Sequence, residues 1–142
     1  MLIRPYERND ESAIVALWER CDLTRPWSDP RKDIARKLKI DAALFLVGLI
    51  DNEIVACAMG GYDGHRGWVN YLAVDPPFQR RGLGAQIMAE IERGLRERGC
   101  AKINLQIRSS NEVAAGFYRA LGYAVDDVLS MGKRLERDDY RA

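Results

Sequence analysis

Hydrophobic and polar residues follow regular periods along the chain, and each period predicts one kind of element. Helical spacing of apolar residues predicts helices at about residues 10–21, 30–39, 83–98 and 111–121. Alternating or continuous apolar runs predict strands at 2–6, 43–50, 54–60, 68–74, 103–107, 123–125 and 128–135. Hairpins precede a strand–helix–strand crossover in this order, which predicts a mixed sheet with a layer of helices.

Length and charge narrow the classes of function. The chain has 142 residues, so we expect one domain spanning 1–142. Its 22 basic and 21 acidic residues leave a net charge of +1, which argues against a nucleic-acid partner. The longest apolar run, at residues 42–50, is too short to cross a membrane, and the N-terminus lacks the layout of a signal peptide. We therefore expect a cytoplasmic protein with no membrane partner.

The residue types that many catalytic sites require are scarce. The chain has one histidine, His65, and its 3 cysteines are scattered without a C-x-x-C pair, so we expect no metal site. The motifs G-x-S-x-G and G-x-x-x-x-G-K-[ST] do not occur, which argues against a serine hydrolase and a nucleoside triphosphatase.

The most informative segment lies between the strand at 68–74 and the helix that begins near residue 83. It is Gln79-Arg80-Arg81-Gly82-Leu83-Gly84. A helix start leaves backbone N–H groups unpaired and is electropositive, and glycines let an anion approach those groups closely. The pattern suits a pyrophosphate, although a plain glycine turn with solvated arginines explains it as well.

A second feature lies on the last predicted helix. Asn111 and Tyr118 are two turns apart and therefore share one face. An amide and a phenol on one face suit the lining of a cleft. The alternative is that Asn111 caps the helix while Tyr118 packs in the core with its hydroxyl hydrogen-bonded.

In this order, the two features resemble the GNAT superfamily of acetyl-CoA-dependent N-acetyltransferases over nearly the whole chain. Residues 79–84 match the family's Q/R-x-x-G-x-G/A pyrophosphate loop, and residues 111–123 match its N-x-x-A-x-x-x-Y-x-x-x-G-F/Y helix. Segments at 17–22, 25–27, 60–67 and 130–135 are similar to the bacterial YpeA-type subgroup. The resemblance implies a GNAT-type α/β (α+β) fold, with a mixed, mostly antiparallel sheet of six to seven strands, a central splay and about four flanking helices.

The resemblance also implies an activity. The protein would be an acyltransferase that moves an acetyl group from acetyl-CoA, its co-substrate, to a primary amine by direct attack in a ternary complex. The acceptor would be an amine-bearing small molecule or a peptide or protein amine. The alternative is a catalytically silent acyl-CoA-binding sensor or regulatory module. Dimers are common in the family, and the sequence leaves a homodimer open.

Roles for individual residues follow from the same resemblance. The backbone N–H of Val74 would stabilise the charge that develops on the thioester oxygen, and Tyr118 would give its proton to the leaving sulfur. The full set of residues implied to bind acetyl-CoA is Leu72, Ala73, Val74, Gln79, Arg80, Arg81, Gly82, Leu83, Gly84, Ala85, Asn111 and Tyr118.

The general base is where this chain departs from better-known members of the family. Many of them carry a glutamate on the strand that matches residues 68–74, whereas this strand has no acidic residue. Asp63 and His65, from the glycine-rich connection before the strand, are alternative bases, and ordered water is a third route for the proton. The plainer interpretations are that Asp63 holds a turn and that His65 is an exposed loop residue.

Acceptor contacts are expected on the loop between the first two helices and on the central strands. Two aspartates and several aromatic residues there would suit a cationic amine. Besides Asp63, the residues implied are Asp22, Trp27, Tyr62, Asn70 and Tyr71.

Overall fold

The computed structural model describes residues 1–141. In this part of the chain, five strands and four α-helices follow one another in the predicted order up to the last helix. The elements are β1 (Leu2–Pro5), α1 (Glu11–Arg20), α2 (Pro30–Leu38), β2 (Phe45–Ile50), β3 (Glu53–Tyr62), β4 (Gly67–Val74), α3 (Leu83–Glu97), β5 (Ile103–Asn104) and α4 (Glu112–Ala120).

The strands form one sheet in the order β1-β2-β3-β4-β5. The first three neighbouring pairs are antiparallel, and β4 pairs with β5 in parallel. Asp51 and Asn52 join β2 to β3 with φ angles of 51° and 64°, the backbone that a two-residue hairpin turn requires. The mixed, mostly antiparallel GNAT-type fold with four helices is confirmed.

The predicted count of six to seven strands is wrong, because the described sheet has five. The strand expected at 103–107 is confined to Ile103–Asn104, and residues 123–125 and 128–135 form no strand. Strand-like composition becomes a strand only where another backbone pairs with it. Apolar side chains in the last segment remain largely exposed, among them Val125, Val128, Leu129, Met131 and Leu135.

Helices cover both faces of the sheet, and the side chains of β3 show which helix lies where. Cys57 accepts a hydrogen bond from Trp18 of α1, with Nε1 and Sγ 3.1 Å apart. A Cβ atom built on Gly60 would lie 2.9 Å from Ile91 of α3, so that face packs against α3. Alternate residues of β3 therefore face α1 and α3, as the strand period requires.

A column of aromatic rings fills the core on the α1 side. Tyr6 stacks on Phe45 with ring centroids 4.4 Å apart, and Trp18 stacks on Phe45 at 6.5 Å. Tyr71 of β4 stacks on Trp18 with ring centroids 3.8 Å apart and forms the end of the column. Because these rings belong to four different segments of the chain, the stack fixes α1 against the sheet.

The chain divides into two compact units. The first holds residues 1–105 together with 138–141, and the second holds residues 106–137 and includes α4. Within the second unit, Gln106 hydrogen-bonds Ser130 through its side-chain amide, and Asn111 caps α4. No helix in the described part of the chain is long and apolar enough to cross a membrane.

Candidate functional site

The segment after β4 leads through a short turn into the start of α3, the electropositive end of that helix. The chain turns at Asp75 and the single 3₁₀ turn Pro76–Phe78, and then reaches Gly82, the residue before α3. Gly82 has φ of 79°, a left-handed conformation that favours glycine. The N–H groups of the first turn of α3 have no partner within the helix, and they carry the positive end of its dipole.

The space around this helix start fits a bulky anion. A Cβ atom built on Gly82 would meet nothing within 4 Å. Arg80 and Arg81 are exposed beside it, and the Arg81 guanidinium lies 5.2 Å from the centre of the Phe78 ring. Leu83 is buried and anchors the first turn of α3 in the core. The start of α3 therefore combines backbone amides, positive charge and open space.

The backbone of Val74 points away from β3. Asp75 donates its N–H to the Val55 carbonyl at 2.8 Å, and residues that face a partner strand alternate in an antiparallel ladder. Val74 lies opposite Ala56. Its N–H and C=O groups therefore both point away from β3, to the other edge of β4. Its carbonyl accepts there from the Gln79 side-chain amide at 2.8 Å.

That edge of β4 is open along most of its length within the first unit. Among the strands described, β5 is the neighbour on this side, and it pairs through Gly67 and Trp68. Beyond Trp68, no strand of the described residues pairs with this edge of β4. The residues expected along the open edge are half-buried at Leu72 and Val74 and buried at Ala73.

The end of α1 lies against the end of β4. Arg20 forms a two-pronged ion pair with Asp75, with nitrogen–oxygen distances of 3.0 and 3.1 Å. The next residue, Cys21, donates its thiol to the Val74 carbonyl at 3.3 Å. Asp22 follows Cys21 in the chain, with a side chain that is 94% exposed and forms an ion pair with Arg25 at 3.4 Å.

Asp63 is the centre of the turn between β3 and β4. One of its oxygens accepts from the N–H groups of His65 and Arg66, each at 2.7 Å, and the other accepts from the Trp68 indole at 3.2 Å. The backbone hydrogen bonds from Arg66 and His65 hold the pKa of the Asp63 carboxyl below its usual range. His65 is exposed in the same turn. This arrangement matches the plainer interpretations of both residues.

The other predicted acceptor residues lie in different surroundings. Tyr62 donates its hydroxyl to the Gly64 carbonyl at 3.1 Å, within the turn that Asp63 organises. Trp27, in the loop between α1 and α2, is 49% exposed, and Asn70 of β4 is exposed. Tyr71 is half-buried, and its hydroxyl donates to Asp33 at 2.7 Å.

Asn111 and Tyr118 belong to the second unit. The Asn111 side-chain oxygen accepts from the Ala114 N–H at 3.1 Å and so caps α4. Tyr118 is half-buried between the edges of Phe117 and Tyr123, with ring centroids at 5.0 and 5.7 Å. Burial raises the pKa of the Tyr118 phenol to about 12, so the hydroxyl stays protonated at neutral pH.

Several polar residues beside β4 were not predicted from the sequence. Asp33 of α2 accepts from Tyr71 and from the Arg36 guanidinium, the latter at 3.1 Å. Arg36 also grips the buried carboxylate of Asp138 with two hydrogen bonds, at 2.8 and 2.9 Å. Residues 138–141 are the end of the described chain, and no local motif marks them. Only the folded arrangement brings these groups together.

The fold and the helix-start geometry agree with a family comparison. A model of the Acetyltransferase (GNAT) family matches residues 13–123, and the chain belongs to this family. The match includes the segment 79–84 and most of α1, and it extends through α4 in the second unit.

Solved structures with the same fold include enzymes that act on proteins and on antibiotics. The chain is similar to the ribosomal-protein-S18-alanine N-acetyltransferase from Escherichia coli, with 27% identity, a TM-score of 0.71 and coverage of 85% of this chain and 76% of that chain. It also resembles the aminoglycoside acetyltransferase meta-AAC0020 from an uncultured soil metagenomic sample, with 22% identity, a TM-score of 0.74 and coverage of 95% and 96%. A third relative is AAC(6')-Iy in complex with a bisubstrate analog, CoA-S-monomethyl-acetylneamine, with 18% identity, a TM-score of 0.76 and coverage of 94% and 97%.

Proposed function

We propose that this protein is an N-acetyltransferase that moves the acetyl group of acetyl-CoA to a primary amine in a ternary complex. One observation carries the proposal: the outward-facing backbone of Val74 lies on the same segment as the amides at the start of α3. The first is suited to a thioester oxygen and the second to a pyrophosphate. The resemblance of residues 79–84 and 111–123 to the family's motifs supports the same assignment.

Acetyl-CoA would be held by backbone groups more than by side chains. The N–H groups of residues 81–85 would bind the pyrophosphate, and the exposed guanidinium groups of Arg80 and Arg81 would add attraction at longer range. Gln79 and Cys21 occupy the Val74 carbonyl, at 2.8 and 3.3 Å, which leaves the Val74 N–H as the group of this residue that would meet the thioester. Leu72 and Ala73 supply the adjoining strand, and Asn111 contributes from α4.

In the transfer step, the Val74 N–H donates to the thioester oxygen while the amine nitrogen forms its bond to the carbonyl carbon. As the carbon–sulfur bond breaks, Tyr118 gives its phenolic proton to the sulfur, so coenzyme A leaves as a free thiol. Tyr118 then regains a proton from solvent. The proton that the amine loses goes to a base or to ordered water, with Asp63 and His65 as the candidate side chains.

For the acceptor, we propose an amine-bearing small molecule or a peptide that approaches between the α1–α2 loop and β4. Asp22 and Trp27 lie on the loop, and Tyr71 lies on β4. The exposed Asp22 carboxylate and the half-exposed Trp27 ring offer a charge and a π-face to a cationic amine. Tyr62 lies at the end of β3, and Asn70 precedes Tyr71 on β4. The similarity to the YpeA-type subgroup and a cytoplasmic location belong to this proposal as well.

An amine-panel assay tests the activity. Purified protein is incubated with acetyl-CoA and a broad set of metabolite amines and N-terminal peptides, and free thiol is measured. Acetylation of at least one amine, confirmed by the mass of the product, is the expected result. If acetyl-CoA binds and no amine is acetylated, the catalytically silent sensor replaces the enzyme. For the base, a His65→Ala variant with an unchanged pH–rate profile removes His65 from the candidates.

A further inference from the structure

Tyr71 adopts a backbone conformation that a tyrosine in a strand rarely takes. Its φ is 53°, and among residues 1–141 it is the one non-glycine residue inside a strand with positive φ. The neighbouring ladder shows the cause. Met59 pairs with Asn70, whereas Cys57 pairs with Ala73, so β4 carries one residue more than β3 between these pairs. Tyr71 is part of a β-bulge.

The bulge decides which way Val74 faces. Before it, Asp63 donates to the Arg66 carbonyl at 3.1 Å, and continuing that alternation without an extra residue would turn Val74 toward β3. After it, Asp75 is the residue that donates to β3, through the Val55 carbonyl. The extra residue therefore moves Val74 from the inner edge of β4 to the open edge.

Tyr71 is held in this conformation at three points. Its ring stacks on the buried Trp18, 3.8 Å away. Its carbonyl accepts from the Cys57 thiol at 3.4 Å, and its hydroxyl donates to Asp33 at 2.7 Å. Burial, aided by the Asp33 hydrogen bond, raises the pKa of the phenol, so it remains a donor at every pH near neutrality.

Asp33 is itself held in place by residues outside β4. Its other oxygen accepts from Arg36, which is gripped in turn by the two oxygens of the buried Asp138. The Asp138 carboxylate also faces Lys32, at 3.8 Å, and accepts from the Asp29 N–H at 3.4 Å. A hydrogen-bonded chain thus runs from the end of the described polypeptide through α2 to the hydroxyl of Tyr71.

We propose that Asp33 is a positioning residue for acyl transfer, which acts by holding Tyr71 so that β4 keeps the bulge that turns the Val74 N–H to the open edge. The inference rests on the proposed function, because it concerns how the Val74 N–H of that site is kept in position. Nothing in the local sequence of α2 distinguishes Asp33 from a surface aspartate.

The test compares Tyr71→Phe with Tyr6→Phe, a matched control at the other end of the same aromatic stack. Both variants lose one hydroxyl and keep the ring. We expect Tyr71→Phe to lower kcat about 10- to 100-fold, below the loss for a fully removed oxyanion donor. The dissociation constant for acetyl-CoA, measured by calorimetry, should change far less, because the amides of α3 are untouched. Tyr6→Phe should leave kcat unchanged.

Variants of Asp33 separate positioning from charge. Asp33→Asn keeps an oxygen that accepts from the Tyr71 hydroxyl, so it should retain more kcat than Asp33→Ala. Equal losses in the two variants, or equal losses in Tyr71→Phe and Tyr6→Phe, would overturn the inference. A wild-type protein that acetylates amines alongside a fully active Tyr71→Phe overturns the inference and leaves the proposed function standing.

A second readout does not depend on activity. Amide hydrogen exchange of Val74, followed by NMR, reports whether its N–H faces β3 or the open edge. We expect Tyr71→Phe and Asp33→Ala to slow this exchange by about 10-fold or more as the unbulged register becomes populated, with no change in Tyr6→Phe. An unchanged Val74 rate in Tyr71→Phe overturns the inference even if no amine is ever acetylated.

Discussion

At the scale of single residues, burial determines what Tyr118 contributes. Its hydroxyl lies in a half-buried site between two aromatic edges, and burial raises the pKa of the phenol to about 12. A group with this pKa is a proton donor throughout the neutral range and a weak acid. In the proposed reaction, it therefore assists departure of the thiolate only as that charge develops.

Tyr118→Phe tests this role. We expect kcat to fall about 10-fold or more, the scale of general acid catalysis, while acetyl-CoA affinity stays nearly intact. Single-turnover kinetics and calorimetry separate the two quantities. Tyr123→Phe, which alters the ring that touches Tyr118 at 5.7 Å, serves as the control and should retain full kcat. A Tyr118→Phe enzyme with normal kcat would remove Tyr118 as the acid.

Gly82 and Gly99 make a matched pair at the two ends of α3. Both have positive φ, 79° and 81°, and a Cβ atom on either would meet nothing within 4 Å. Replacing either by aspartate therefore costs a similar amount, about 1–2 kcal/mol for the left-handed conformation. We expect Gly82→Asp to abolish acetyl-CoA binding, because a carboxylate would take the place of the pyrophosphate, and Gly99→Asp to bind normally. Equal binding by the two variants would exclude the start of α3 as the anion site.

At the scale of elements, the packing of α3 on β3 requires a residue without a side chain at position 60. A Cβ atom there would lie 2.9 Å from Cδ1 of Ile91 and 3.0 Å from its Cγ2, and Ile91 is fully buried. This contact keeps α3, whose first turn is the proposed anion site, close to the sheet.

Gly60→Ala should therefore overpack the core and lower the free energy of unfolding by about 1–3 kcal/mol. Ile91→Val removes Cδ1, the nearest atom, at a cost of about 0.5–1.5 kcal/mol on its own. The double variant should be more stable than the sum of the two single losses predicts, as measured by urea denaturation. Strictly additive losses would mean that the two residues do not compete for the same space.

At the scale of the whole molecule, two ion pairs with buried carboxylates, one local and one between distant residues, make the stability of the first unit depend on pH. Arg4 holds the buried Asp10 after β1, with hydrogen bonds of 2.7 and 3.0 Å. Arg36 holds the buried Asp138 near the end of the described chain. The hydrogen bonds from Arg4 and Arg36 lower the pKa of the two carboxyls, that of Asp138 to about 2.

A carboxyl whose pKa is lower in the folded state stabilises the fold above its unfolded pKa, near 4, and loses that contribution as the pH falls toward the folded value. We expect the stability of the wild type to drop between about pH 5 and pH 2. Asp138→Asn should show a smaller drop and approach the wild type near pH 2. Urea unfolding at a series of pH values measures both. Asp139→Asn, at a neighbouring side chain that is 72% exposed, should follow the wild-type curve. An Asp138→Asn curve parallel to that of the wild type would contradict the prediction.

The sequence predicted the fold wherever local chemistry and the tertiary fold agree. The helix predicted at about residues 30–39 is α2, and Asp29 caps it through the N–H groups of Arg31 and Lys32. The predicted end of the third helix near residue 98 agrees with α3, and the cap of α4 by Asn111 was one of the two interpretations given for that residue. Prediction failed for the last strands, because strand composition at 123–135 does not specify which backbone pairs with it. The roles assigned to the site residues remain predictions.

By itself, the sequence determined the order of elements, the glycine-marked start of α3 and membership of the GNAT family, because each depends on residues that are close together in the chain. Only the tertiary structure decided that β4 bulges at Tyr71, that Val74 turns outward, and that Asp33 meets the Tyr71 hydroxyl. A bulge is a mismatch between two strands, and the Asp33 contact joins residues 38 positions apart. Neither has a local pattern that a sequence could display.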